Sequence, residues 1–386
     1  MGMWVGRGRK ARRCYGFDEI ALVPGVATID PEDVDTSLQI RDIKLEIPII
    51  AAAMDGVVDV RFAQEMGKLG GLAVLNLEGI QTRYENPEEI ITKIITASPE
   101  EATNIIQKVY EEPVKENLIT KRIKQIKEAG VLAVVSAIPA GAEHYGQLAQ
   151  EAGADIFVVQ ATVITNRYYS TKHKLLDLKK FTSSMSIPVI AGNCVTYEAA
   201  LELMETGIEG LLVGIGPGAA CTTRGVLGIG VPQVTATADC AAARDFYYKQ
   251  TTRYVPIITD GGMSVGGDIT KAFAAGADAV MVGSAFAKAK EAPGRGYHWG
   301  MATSHRNLPR GTRIYVGTTG TLEEILYGPA HFDDGSQNLI GALRGAMGMC
   351  GVRNIRQMQL VELIIAPAIK TEGKIFQKTQ RIGMCK

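Results

Sequence analysis

The chain has no excess charge of either sign, with 41 Lys+Arg against 41 Asp+Glu in 386 residues. Without a net field, nothing gathers nucleic acid or an anionic membrane, and neither is expected as a partner. Cysteine is scarce: Cys14, Cys194, Cys221, Cys240, Cys350 and Cys385 show no CxxC spacing and no histidines at ligand spacing. That argues against a disulfide framework and against a structural zinc site. No run of about 18 apolar residues occurs, and the basic stretch 1–13 lacks the apolar segment of a signal peptide. The sequence reads as that of a soluble, cytoplasmic protein.

What is present is the composition of an ordinary folded chain, 46% hydrophobic and 21% charged, with 43 glycines for tight turns. Short Val/Ile-rich runs recur, each entered through a proline or through a glycine that ends a helix. KLGGLAVLN (68–76), EAGVLAVVS (128–136), EAGADIFVV (151–159), ETGIEGLLVG (205–214) and AAGADAVMVG (274–283) share one order: helix end, capping glycine, buried strand. IPIIAAAMD (47–55), IPVIAGN (187–193) and VPIITDGG (255–262) enter through Ile-Pro or Val-Pro. Helical periodicity fills most of the intervals, as in TYEAALELMETG (196–207). Eight buried strands alternating with helices predict an α/β (β/α)8 TIM barrel, favoured over an open doubly wound sheet because eight is the closure number.

The chain is read as one barrel domain over 1–386. A helical insertion at 78–127 follows strand two, where PEEIITKIITASPEEATNIIQKVYEEP suggests two amphipathic helices. After strand eight, 287–386 has little strand character and is read as an extended flap and tail, long enough to hold an active-site cover.

Barrel enzymes keep their chemistry at the carboxyl ends of the strands. Those ends are Met54–Asp55, Asn76, Gln160, Asn193, Gly214–Cys221, Asp260–Gly262 and Gly283–Ser284. The Asp-Gly-Gly and Gly-Ser ends of strands seven and eight expose backbone amides suited to a phosphate, although glycine there also simply permits a sharp turn. The loop GIGPGAACTTRG (214–225) misses the GxGxxG dinucleotide fingerprint, because Ala219 stands where the third glycine would be. It carries instead a thiol, Cys221, on a glycine-rich loop whose dipoles favour a nucleophilic thiolate. Cys194 and Cys240, among apolar neighbours, read as inert.

These residues also carry a resemblance. GIGPGAACTTRGVLGIGVPQVTA (214–236) resembles the signature loop of the IMP dehydrogenase and GMP reductase family. The likeness extends through YGFDEIALVP (15–24), PIIAAAMDGV (48–57), VIAGNCVT (189–196), DGGMSVGGDITKAFAAGADAVMVGSAFA (260–287) and EAPG (291–294). The family implies a (β/α)8 barrel, commonly a homotetramer, in which Cys221 attacks C2 of IMP, hydride passes to NAD, and the thioimidate is hydrolysed to XMP.

Position by position, the resemblance implies that Thr223 sits near the reacting carbon and that Asp260 holds the ribose hydroxyls. Gly261, Gly262, Gly283 and Ser284 form the phosphate cradle, with Gly218 and Ala219 beside it. Met54 packs under the base, and Met281, Gly300 and Met301 complete the substrate contacts. Gln160, Ala161, Thr162, Asn193 and Gly214 fall at the NAD side. The carbonyls of Gly216, Gly218 and Cys221 match those that hold potassium, with Lys374 of TEGK (371–374) an alternative source of positive charge.

There are departures. The insertion is too short and too helical for the paired CBS modules of most family dehydrogenases. Gln160 stands where many relatives have an aspartate, and Ala219 replaces a phosphate-contacting serine. The flap phrase GMAT (300–303) runs into SHRNLPRG (304–311) without the usual Arg-Tyr pair, which leaves Arg306 and Arg310 as candidates for activating water. The implied activity is a short, CBS-less IMP dehydrogenase. NADPH-dependent GMP reductase and a silent nucleotide-binding relative are the alternatives.

Overall fold

A computed structural model describes residues 2–171, 175–300 and 312–383. All eight expected strands form, and they close into a parallel barrel: β1 Ile49–Ala51, β2 Leu72–Asn76, β3 Val134–Ala137, β4 Ile156–Gln160, β5 Val189–Cys194, β6 Gly210–Val213, β7 Ile257–Asp260 and β8 Ala279–Val282. Each pairs with its sequence neighbour, and β8 pairs with β1 through Val280–Ile49, Met281–Ile50 and Val282–Ala51. The strands are apolar except toward their carboxyl ends because both of their faces are buried. Ile50, Leu72, Val74, Val134, Ile156, Val158, Ile190, Leu212, Ile258 and Met281 fill the interior. The alternate residues, such as Leu75, Val135, Phe157 and Leu211, meet the surrounding helices. A hairpin of Leu38–Ile40 and Ile43–Leu45 plugs the amino end, sending Leu38, Ile40 and Leu45 into the interior cluster.

The helix, glycine, strand phrases fold as read. Helices α1 Val60–Lys68, α2 Ile80–Arg83, α3 Pro87–Thr96, α4 Pro99–Val109, α5 Glu116–Glu128, α6 Pro139–Glu151, α7 Leu178–Ser184, α8 Tyr197–Met204, α9 Thr223–Leu227, α10 Gln233–Thr251 and α11 Gly266–Ala274 follow one another between the strands. The glycine closing each phrase takes positive φ, up to 114° at Gly276, a conformation that terminates a helix cheaply only at glycine. Four of these helices are capped by side chains, as where Asp59 accepts from Phe62 N at 2.7 Å.

The insertion contains no strand among its described residues. The repeated Pro-Glu-Glu phrases start α3 and α4, with Ser98 capping the second, and α5 returns to the barrel wall. After β8 the chain makes a long excursion before supplying the eighth barrel helix. Helices α12 Ser284–Ala287 and α13 Leu322–Tyr327 precede α14 Leu339–Met349. This last helix lies so close on α11 that a Cβ at Gly266 would come within 2.3 Å of Ala342 Cβ. A strand at Leu363–Ile365 then pairs with Ile20–Leu22, binding tail to amino terminus. Among the described residues no helix is long and apolar enough to cross a membrane.

Candidate active site

The carboxyl ends of β4, β5 and β7 converge on one carboxylate. Asp260 Oδ2 accepts from Asn193 Nδ2 at 2.8 Å and from Gln160 Nε2 at 3.2 Å. Gln160 also lies 3.5 Å from Asn193 Oδ1 and 3.9 Å from Met281 Sδ. Burial pushes the Asp260 carboxyl up to about 6, and the two amide donors pull against that shift. Both donors meet Oδ2, and Oδ1 has no donor among the described residues. A carboxylate so arranged can accept from a vicinal diol entering through the mouth.

Above β6 runs the cysteine loop. Cys221 is half-buried, its N–H closes a turn on Gly218 O at 3.0 Å, and its Sγ lies 3.2 Å from Oγ1 of buried Thr223. The loop is tied to the Asp260 turn by contact. A Cβ on Gly261 would lie 3.2 Å from Pro217 Cγ and 3.5 Å from Gly218 N, and one on Gly262 would lie 3.1 Å from Pro217 Cβ. Thiol loop and carboxylate turn thus share one wall of the mouth.

The other expected positions fall around this wall, with more specific local roles than their residue types disclose. Gly214 must lack a side chain, since a Cβ there would sit 2.3 Å from Asp260 O. Gly283 is opposed by Met54, whose Sδ would lie 2.8 Å from an added Cβ, so Met54 packs over the end of β8. Gly261 has φ 82° and donates its N–H to Met281 O at 3.1 Å, which commits that amide to the turn. The backbone of Ala161 is likewise spent in extending the β4–β5 ladder, N–H to Gly192 O at 2.9 Å and C=O to Asn193 N at 3.0 Å. Thr162 is half-buried beyond it and Ala219 is exposed on the loop. Ser284 begins α12, and Gly300 ends the second described stretch. Met301, Arg306, Arg310 and Cys385 lie outside the described residues. Cys194 and Cys240 are buried with their sulfurs 4.0 Å apart, away from the mouth, and the Cys240 thiol is pushed well up by its neighbour and by burial.

Two side chains that hold the site together were not singled out from the sequence. Buried Gln233 donates Nε2 to Val213 O at 2.5 Å and to Asp260 O at 3.3 Å, stapling β6 to β7 beneath the loop. Its place, the first residue of α10 after Pro232, is the only sequence signal. Arg224 donates Nε to Ile215 O at 3.1 Å and Nη2 to Val231 O at 2.8 Å, bracing the cysteine loop from within. Burial pulls this guanidinium down, while a charged Cys221 would hold it up, so the two groups feel one another.

A third group gathers at the end of β1. Asp55 is fully buried and its carboxyl is pushed up to about 6 by desolvation, against hydrogen bonds from the Tyr110 hydroxyl and from Ile80 N at 3.1 Å. The same burial drives the Tyr110 hydroxyl well above its ordinary value.

A closed (β/α)8 barrel with a thiol loop and a buried carboxylate at the carboxyl ends of its strands defines the class. The chain belongs to the IMP dehydrogenase / GMP reductase family, whose domain model matches residues 14–372. It is a short member lacking the CBS module, and an oxidoreductase. An uncharacterized oxidoreductase of Mycolicibacterium smegmatis is 39% identical over 370 residues, covering 94% of this chain and 99% of that protein. An inosine-5'-monophosphate dehydrogenase of Methanocaldococcus jannaschii is 30% identical over 487 residues, covering 94% of this chain and 95% of that one. The crystal structure of an IMP dehydrogenase/GMP reductase-like protein from Corynebacterium glutamicum superposes with TM-score 0.90 at 37% identity, covering 94% of this chain and 97% of that one.

Proposed function

We propose that the protein is an IMP dehydrogenase that oxidises IMP to XMP with NAD and water through a covalent adduct on Cys221. The observation that carries this reading is the shared wall. Pro217–Gly218 of the thiol loop rests on the Gly261–Gly262 turn beside Asp260, so one nucleotide spans nucleophile and carboxylate. Asp260 takes the ribose diol, and Met54 packs beneath the base. The phosphate falls to amides at the ends of β7 and β8. The amide of Gly261 does not take part directly, because it is already donated to Met281.

In the first step the Cys221 sulfur bonds to C2 of the purine and a hydride leaves that carbon. Bound NAD supplies the hydride acceptor. In the second step water adds at C2, the C–S bond breaks, and the sulfur leaves with XMP formed and a proton released. Thr223 Oγ1, 3.2 Å from the sulfur, is placed to donate to the thiolate when it is the leaving group. For the cofactor, Gln160 and Asn193 each donate to Asp260 while keeping their amide oxygens, and half-buried Thr162 adds a hydroxyl beyond the β4 end. For potassium, Gly218 O already accepts Cys221 N, so that oxygen offers a cation only its second lone pair. Assembly as a homotetramer belongs to the same reading.

The full chain given IMP and NAD should produce NADH absorbance, and Cys221→Ala should lose turnover while still binding IMP in calorimetry. Turnover at the parental rate in that variant overturns the assignment of the nucleophile. Oxidation of NADPH in the presence of GMP, with no NADH from IMP, would make the protein a GMP reductase using the same thiol. IMP binding with no turnover of either pair would make it a silent relative.

A further inference from the structure

Helices α3 and α4 of the insertion do not join the barrel core. They bury Ile91, Ile94, Ile106 and Val109 in a small cluster of their own with Ile80, and its remaining buried member, Trp299, comes from far along the chain. Trp299 follows the strand Tyr297–His298, which pairs with Ile314–Tyr315 to form the base of a hairpin. Its indole donates to the Tyr110 hydroxyl at 2.9 Å, and Tyr110 in turn donates to Asp55. The second strand of the hairpin is held as well. Arg313 donates Nη1 to Ile94 O, in the last turn of α3, and its guanidinium lies 4.9 Å from the centre of the Tyr297 ring. The hairpin also sits hard against the end of β1, since a Cβ at Gly56 would come within 2.7 Å of Tyr297 O.

One residue before Arg313, Thr312 donates its N–H to Ala220 O at 3.2 Å, the carbonyl that precedes Cys221. From the insertion to the thiol the path is therefore short: Ile94 to Arg313, Thr312 to Ala220, then Cys221. The loop it reaches is glycine-rich and largely exposed from Arg224 to Gly230. Such a loop holds a sulfur in one place only through its ties, and a misplacement of about 1 Å at a reacting atom is enough to cost on the order of a hundredfold in rate.

We propose that the helical insertion positions the reactive cysteine, gripping both strands of the 297–298/314–315 hairpin through Trp299 and Arg313 so that Thr312 fixes the Ala220–Cys221 peptide. Trp299 and Arg313 touch neither substrate nor sulfur; they are positioning residues. The proposal rests on Cys221 being the nucleophile, but the hold on the loop can be read separately from turnover.

The test uses the full chain carrying Arg313→Ala, Arg313→Lys or Trp299→Phe. Three quantities are measured: kcat and KM for IMP, calorimetric IMP binding, and the rate at which iodoacetamide alkylates Cys221, read by mass from its peptide with Cys14 as internal reference. Arg313→Ala should lower kcat tenfold or more with KM for IMP within about twofold, since the cradle on β7 and β8 is untouched. Its Cys221 should alkylate severalfold faster as the half-buried sulfur is released, with Cys14 unchanged. Arg313→Lys, which keeps a cationic donor for Ile94 O, should recover most of both losses. Trp299→Phe, which keeps an aromatic ring and loses the indole N–H, should show the same changes at smaller size. Unchanged Cys221 alkylation in both Arg313→Ala and Trp299→Phe overturns the proposal, as does Arg313→Lys behaving like alanine. Loss of IMP binding in step with kcat would overturn it too, marking a general structural role. If Cys221→Ala retains turnover, the assigned nucleophile falls, while the alkylation arm still decides whether the insertion holds the loop.

Discussion

Two carboxylates, Asp55 after β1 and Asp260 ending β7, are raised by the same burial but held by different donors. Burial lifts each to about 6, and each receives its donors on Oδ2. Around Asp55 the donors are a buried phenol and a backbone amide, and its Oδ1 has no hydrogen-bond partner among the described residues. The space beside that oxygen is closed by Gly79, where a Cβ would lie 2.2 Å away. Around Asp260 the donors are two side-chain amides, and part of the residue opens to the mouth. An elevated carboxyl is thus no signature of function by itself. What separates the two is that Asp55 is sealed in by protein, whereas Asp260 keeps part of its surface open.

The contrast breaks first at Asp55. For a carboxyl whose folded value is raised, the native state holds its proton more tightly than the unfolded chain, so its favourable contribution is complete below about pH 4 and is lost as pH rises through about 6. A rise from 3.8 to about 6, at about 1.4 kcal/mol per pH unit, corresponds to about 3 kcal/mol. Urea unfolding of Asp55→Asn and the parent between pH 4 and pH 7 should therefore show the variant gaining on the parent by up to about 3 kcal/mol as pH rises. A constant difference across that range would mean that Asp55 does not hold a buried proton in the native state.

Asp260 should respond in binding instead. Replacing it by asparagine removes an anionic acceptor worth about 1.5–3 kcal/mol, so ribose-dependent affinity should fall by roughly one to two orders of magnitude. Inosine is the ligand of choice because it lacks the phosphate, which titrates on its own near pH 6. Parental affinity for inosine should weaken below about pH 6 as Asp260 takes its proton, and Asp260→Asn should lose that acid limb. An acid limb that survives in the variant assigns the titration to another group.

The finest test separates the two donors of Asp260. Gln160→Leu removes one hydrogen bond to the ionised form, about 1 kcal/mol, so the acid limb should move to higher pH while Asn193 still holds the carboxylate. If the dinucleotide's affinity changes and the inosine profile does not, Gln160 serves the cofactor, the role the family resemblance implied.

Much of the barrel was legible in the chain because its signals are local. A Val/Ile run after a glycine that must take positive φ reads as helix end and buried strand within about ten residues. The carboxyl ends of those runs nominated Asp260, Asn193 and Gln160 one by one, yet nothing in the run IFVVQ shows that the Gln160 amide turns onto Asp260, 100 residues later. The roles of Gln233 and Arg224 are hidden in the sequence for a related reason. An amide or guanidinium inside a loop looks like a solvated group until the carbonyls it staples are in place.

By itself the sequence determined the number and order of the strands, the helical character of the insertion and the loop that carries the thiol, since periodicity, capping glycine and turn chemistry act over a few neighbouring residues. Only the tertiary structure decided that Trp299 belongs to the core of the insertion, that Arg313 reaches Ile94, and that the carboxyls of Asp55 and Asp260 are raised. Those outcomes depend on desolvation and on contacts between segments up to about two hundred residues apart. The free energy of such contacts exists only once the barrel has closed and excluded water around them.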